Sequence, residues 1–179
     1  MTSSLQGSQL SAQALATEFF KQSEGEWRSQ RRYYTLTNEE VQEVVSLLQV
    51  GFLPAGSAEL VELAKLHHLE EENAFICGAK TSWESSYTGT KRKPAKGSTI
   101  FGVRGNLLYR DRGFATSKPV TAQFYFTNSQ TMCLRTEYNG SVFEEELKLI
   151  GQKYRTRQTI ISRAGEEQTI GQYLEKRIA

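Results

Sequence analysis

The feature that most constrains the fold is the punctuation of the second half of the chain. Between residues 99 and 177, short segments rich in β-branched and aromatic residues are separated at nearly even intervals by Asn128-Ser129, Asn139-Gly140 and Gly151-Gln152. Asn and Gly adopt positive φ at little cost, so each pair fits a tight hairpin. Consecutive hairpins place sequence neighbours side by side and build an up-and-down antiparallel sheet. The expected strands are 27–36, 60–69, 73–87, 99–104, 106–112, 119–127, 131–138, 141–150, 153–162 and 168–177. About ten strands in an open sheet would leave two bare edges, and closure into a barrel removes them.

Two helices are expected before that meander. Residues 11–23 carry Leu15, Phe19 and Phe20 at helical spacing after a capping Ser11, with Gly25 as the breaker, and such a helix would plug or flank a barrel. Residues 38–49 carry Val41, Val44, Val45 and Leu48 on one stripe after a Thr37 cap, with Glu40 three residues on as in a capping box. The segment 60–69 is ambiguous in period and is taken as a strand. The Lys91–Lys96 run around Pro94 reads as a solvated loop, and no internal repeat is present.

A chain of 179 residues is long enough for one compact domain and short for two, so residues 1–179 are read as a single barrel domain. Its 22 Lys+Arg against 20 Asp+Glu lack the strong basic field of a nucleic-acid binder. No run approaches the roughly 18–20 apolar residues of a membrane span, and the polar residues 1–13 lack a signal peptide's apolar stretch, so a cytoplasmic location is expected. Cys77 and Cys133 stand without CxxC spacing, which fits a reducing compartment and gives no structural zinc site.

Side chains alternate faces along a strand, so Arg155, Arg157, Thr159 and Ile161 share one face, the two guanidiniums about 6–7 Å apart. Turned inward, they would form a carboxylate-binding site; turned outward, they are ordinary surface charge, and that reading starts ahead. The opposite face is also polar, at Thr156 and Gln158, which suits a barrel with a polar-lined cavity. Arg135 with Glu137, and Tyr173 with Glu175 and Arg177, repeat the spacing. Glu145 and Glu175 are candidates to meet ligand nitrogens, although singly each is more often a solvated residue.

Trp27, Trp83, Tyr33, Tyr34, Phe124 and Phe126 are wall candidates, most of them plain core. Thr81, Trp83 and Ser85 share a face whose mixture suits a cavity better than a dry core. His67 and His68, adjacent on an expected strand, point to opposite faces and cannot chelate one metal together. Neither cysteine has a nearby His to activate it, and there is no phosphate loop, nucleotide fingerprint or hydrolase elbow.

Taken together, Phe19-Phe20 before Ser23-x-Gly25-x-Trp27, then Ser29-Gln30-Arg31, Trp83-Glu84, Arg155-x-Arg157 and the closing Gly171-Gln172-Tyr173-Leu174-Glu175-Lys176-Arg177 resemble the S-type phycobiliprotein lyases, the CpcS/CpeS type of bilin chromophore lyase, over nearly the whole chain. The resemblance implies a lipocalin-like or fatty-acid-binding-protein-like barrel that binds an open-chain tetrapyrrole such as phycocyanobilin. It also implies thioether attachment of that bilin to a cysteine of an apo-phycobiliprotein subunit. By the same likeness the pocket positions fall on Trp83, Glu145, Arg155, Arg157, Thr159 and Glu175, with Arg31 on the first strand. Thr159 stands where a serine is expected and Thr81 where some members carry methionine.

The resemblance thus implies Arg155 and Arg157 as anchors for the bilin propionates, with Trp83, Thr159 and Arg31 as further ligand contacts and Glu145 and Glu175 as catalytic carboxylates. Bilin is substrate, and no prosthetic group is expected. Such lyases are cyanobacterial or plastid-stromal, and pairing into homodimers is compatible with the family. Two rivals share the barrel: a non-catalytic carrier of a fatty acid or another apolar acid, and an assembly factor that binds phycobiliprotein subunits without pigment.

Overall fold

The computed structural model describes residues 2–89, 93–114 and 116–179. It consists of helix α1 (Thr2–Ser23), strands β1 (Gly25–Thr35) and β2 (Glu40–Pro54), helix α2 (Ala58–Leu66), and strands β3 (Cys77–Tyr87), β4 (Ala95–Arg104), β5 (Leu107–Arg110), β6 (Val120–Asn128), β7 (Thr131–Tyr138), β8 (Ser141–Ile150), β9 (Tyr154–Arg163) and β10 (Glu166–Arg177). Every strand pairs antiparallel with its sequence neighbours, and β1 pairs with β10 to close the ring. This is the expected ten-strand up-and-down barrel, lipocalin-like in architecture. The hairpins at Asn139-Gly140 and Gly151 do adopt positive φ.

Ten strands were expected and ten are found, but the agreement hides an exchange. Residues 38–49, expected as a helix, belong to β2, and residues 60–69, expected as a strand, hold α2. In β2 the inward set is Val44, Ser46, Leu48 and Val50, all buried, whereas Leu47 is 49% and Val41 54% exposed. The Val-rich stripe satisfied both periods over this short window, and pairing along its length with β1 and β3 decided for the strand. The expected cap and first turn of that helix, residues 37–40, form the β1–β2 turn and open β2 instead: the Asn38 Oδ1 accepts the Glu40 N–H at 3.0 Å, and Glu39 sits at φ 57°.

Helix α2 buries Leu60 and Leu63, three residues apart as a helix face requires, against Leu53 and Phe75 outside the barrel. His67 and His68 therefore end a helix instead of riding a strand; His68 adopts φ 56° and the His67 ring bonds to the Arg110 carbonyl at 2.8 Å. Within the Lys91–Lys96 loop, Lys91 and Arg92 lie outside the described residues, and Ala95 and Lys96 already belong to β4.

Helix α1 closes one end of the barrel. Its Ala16, Phe19 and Phe20 are buried in the main core, and Phe19 meets Phe126 edge-on at 5.8 Å between ring centres. Trp27, wholly buried, donates its indole N–H to the Ser23 carbonyl at 2.9 Å. Arg177 stacks on the same indole at 4.3 Å and donates to the carbonyls of Gln22 and Glu24. The unsatisfied carbonyls at the helix end thus find donors from the last strand, which fixes the plug.

Candidate functional site

Between the α1 floor and the far end of the barrel lies a cavity of about 490 Å³. The register dictates what lines it. Arg155 pairs across strands with Glu175 and Leu149, Arg157 with Tyr173 and Leu147, and Thr159 with Gly171 and Glu145, while Glu175 pairs on its other side with Ser29 and Tyr173 with Arg31. Paired residues share a face, so Ser29 and Arg31 of β1, Tyr173 and Glu175 of β10, Arg155, Arg157 and Thr159 of β9 and Glu145 of β8 form one inward polar wall, bordered on β8 by Leu147 and Leu149.

Two ion pairs organise this wall. Arg155 Nε donates to Glu175 Oε1 at 2.7 Å, with the two side chains 7% and 0% exposed. Arg157 donates through an Nη to Glu145 Oε1 at 2.5 Å. Burial alone would raise the Glu175 pKa, but Arg155, Arg157 and Arg31 outweigh it and hold this carboxyl below the usual range. Burial likewise opposes the charge of Arg157, and Glu145 with Tyr173 and Glu175 overrides it, so that its pKa is raised. The Tyr173 ring lies between two guanidiniums, 5.1 Å from Arg31 and 5.0 Å from Arg157. Burial of this phenol raises its pKa.

The expected site residues divide by depth. Arg31, Trp83, Glu145, Arg155 and Arg157 line the cavity, whereas Thr159 and Glu175 are buried behind its surface. Trp83 faces inward with Thr81 and Ser85, and its neighbour Glu84 faces out to an ion pair with Lys96. The ring can lie across β4 because Gly97 opposes it: a Cβ there would stand 2.5 Å from Trp83. Arg135 and Glu137, which share the two-residue spacing, pair with each other on the outside, both half exposed. Of the wall candidates, Trp27, Tyr33, Phe124 and Phe126 point inward and Tyr34 takes the alternate face.

Sequence reading missed two cations. Arg110, 8% exposed, lines the cavity from β5, its guanidinium 5.1 Å from the Phe101 ring and 4.5 Å from Phe114. Arg112 lies 5.0 Å over Trp83. The signal was available: Leu108, Arg110 and Arg112 repeat the alternation of Arg155 and Arg157. Both cysteines are buried and free, and burial raises both thiols.

A family model described as CpeS-like protein matches residues 16–178. The chain belongs to the CpeS-like family. A relative from Nostoc sp., a candidate phycocyanobilin lyase named CpcS 2, is 63% identical over 161 residues, covering 90% of this chain and 89% of its own. A candidate chromophore lyase from Picosynechococcus sp., CpcV, is 54% identical over 164 residues, covering 91% and 81%. Among solved structures, the S-type phycobiliprotein lyase CPES from Guillardia theta superposes with a TM-score of 0.77 over 90% of this chain and 92% of that one, at 24% identity. That likeness establishes the shared barrel. The CpeS-like match begins within α1 and ends in the β10 tail, so it contains both ion pairs and the end of α1, with Phe19, Phe20 and Ser23, that floors the cavity.

Proposed function

We propose that this chain is a bilin chromophore lyase that binds an open-chain tetrapyrrole of the phycocyanobilin type and joins it by a thioether to a cysteine of a phycobiliprotein subunit. The observation that carries the reading is the Arg157–Glu145 pair on the wall of a cavity of about 490 Å³, in a chain whose relatives from Nostoc sp. and Picosynechococcus sp. bear lyase names. The volume lies within the roughly 300–1,000 Å³ of small-ligand pockets. Those names favour a lyase over a fatty-acid carrier.

The net reaction adds the client thiol across the exocyclic double bond of the bilin's terminal ring. Sulfur bonds to the exocyclic carbon and a proton ends on the adjacent ring carbon, so nothing is oxidised or reduced. The chain's part is to hold the bilin extended and to manage the proton. We assign the proton to Glu145, the carboxylate that lines the cavity, where it can meet the pyrrole nitrogens. Glu175, behind Arg155, positions that arginine. Trp83 offers a stacking face and Arg31 a cation at the Tyr173 ring, while the Thr159 hydroxyl, behind the wall and paired across strands with Glu145, would reach the ligand only if the wall side chains shift. The nucleophile comes from the client, whose compartment, cytoplasm or plastid stroma, this chain shares.

The test is to mix the purified protein with phycocyanobilin, follow the absorbance, add apo-phycobiliprotein, and read zinc-enhanced fluorescence of the denatured client. A shifted spectrum followed by covalent colour on the client is expected. Binding without transfer would make the chain a carrier, and no binding at all would leave a pigment-free assembly factor.

A further inference from the structure

The expectation that Arg155 and Arg157 receive the ligand's carboxylates meets a difficulty in their pairing. Each already holds a protein carboxylate, Glu175 at 2.7 Å and Glu145 at 2.5 Å. A ligand carboxylate arriving there would have to displace one of them or share its cation. Among the described residues five arginines line the cavity, Arg31, Arg110, Arg112, Arg155 and Arg157, and one glutamate lines it with them, Glu145. With Glu175 behind the wall the interior still holds more cationic than anionic groups, and the excess must lie on arginines outside the two pairs.

Arg110 is the most deeply buried of these. Among the described residues no carboxylate lies within ion-pair distance of it, and its Nε has no hydrogen-bond partner. Its guanidinium stacks against the rings of Phe101 and Phe114. Stacking occupies the flat faces of a guanidinium and leaves its N–H edge free, and that edge is what forks onto a carboxylate. Burial depresses the pKa of this group, with Glu145 opposing, Arg157 reinforcing, and Asp111, beyond ion-pair distance, and Tyr138 also opposing, so its charge is felt by the ion-paired wall. A buried cation without a partner is costly to keep in a folded chain, which makes it a poor stability device and a ready receptor for an anion.

Strand β5 stands five strands from β10 around the ten-strand ring, across the cavity from the Glu175 strand. We propose that Arg110, with Arg112 two residues on at Trp83, forms a separate carboxylate-binding subsite that takes a propionate of the tetrapyrrole. This rests on the bilin reading above and sharpens it: the wall of β8, β9 and β10 keeps its carboxylates for the pyrrole nitrogens, while the β5 side fixes the pigment's acidic edge. The two functions then lie on different strands, and the bilin has one orientation.

The experiment is a spectroscopic titration of phycocyanobilin and of its propionate dimethyl ester against the wild-type chain, Arg110→Gln and Arg155→Gln. Wild type is expected to prefer the free acid, and Arg110→Gln to bind it about 10- to 100-fold more weakly, the range for one charge-assisted carboxylate contact. Binding of the diester should be unchanged, because it brings no charge to Arg110. The melting temperature of unliganded Arg110→Gln should equal or exceed that of wild type. Arg110→Met, which keeps bulk between the two rings, serves the same titration should the glutamine variant not fold.

A variant that keeps the full preference for the free acid, or one that melts far lower while binding as wild type does, overturns the subsite. Loss of the preference in Arg155→Gln but not in Arg110→Gln would return the anion to the β9 pair. A wild-type chain that binds neither pigment form refutes the bilin reading and this subsite with it, an outcome distinct from the others.

Discussion

Replacing Glu175 by Gln tests how the interior charges are held. The glutamine keeps the shape of the side chain and can still accept the Arg155 N–H, but it removes the countercharge from a guanidinium that is 7% exposed. Breaking a buried pair by neutralising one partner costs about 3–5 kcal/mol. At about 2.1 cal/mol/K per residue, a chain of 179 residues melts with an entropy near 0.4 kcal/mol/K, so the expected fall in Tm is about 8–13 °C. The pH dependence follows from the depressed pKa of Glu175. A group depressed in the folded state stabilises the protein above its unfolded value, about 4.3 for a glutamate, and that contribution disappears as pH falls through the folded value. The gap between wild type and variant should therefore be full at pH 7 and narrow below about pH 5. Thermal melts followed by circular dichroism at a series of pH values measure both. A fall of less than about 2 °C at pH 7 would refute the buried-pair argument, as would a gap that does not narrow in acid. Replacing both partners by apolar residues, Arg155→Met with Glu175→Leu, should recover most of the loss.

Glu145→Gln should lower the rate of covalent transfer to the client by about 10²- to 10⁴-fold while bilin affinity changes far less, read from zinc fluorescence and absorbance titration respectively. Cys77→Ser with Cys133→Ser should transfer pigment as wild type does, because both thiols are buried with raised pKa values and the acceptor belongs to the client; loss of transfer in a folded double variant would place a pigment–lyase thioether on the path. Phe19→Ala, which removes a side chain 1% exposed from the α1 floor, should cost about 3–5 kcal/mol in denaturant melts.

Much of this architecture could be read from residue order, and the parts that could not share one cause. Turn chemistry at Asn139-Gly140 and Gly151 is local, so strands β7 and β8 were expected at their observed limits. The exchange of helix and strand between residues 38–49 and 60–69 arose where a short apolar stripe fits both periods and only the neighbouring strands choose. The common face of Arg155 and Arg157 followed from alternation, but its inward orientation did not, because the other face, with Thr156 and Gln158, is equally polar. The carboxylate partners were further out of reach. That Glu175 meets Arg155, and Glu145 lies beside Thr159 next to Arg157, depends on the β8–β9–β10 register, which includes a shift between Glu167 and Thr169.

The same dependence explains why the arginine pair was assigned a ligand in advance of its countercharges. Two guanidiniums on one face read as an empty anion site only while the residues opposite them are unknown; once register places Glu145 and Glu175 there, the pair becomes half of a charge network. Arg110 has no such answer among the described residues, and its flanking rings hold it without neutralising it. Apolar residues of similar size would stabilise the barrel as well as buried ion pairs do, so stability alone gives no reason to retain seven charged groups in and behind this cavity. Their arrangement, with carboxylates held on one side and an unanswered cation on the other, fits a ligand whose acidic and nitrogen-bearing edges must be told apart before its reactive end is offered to another protein's thiol.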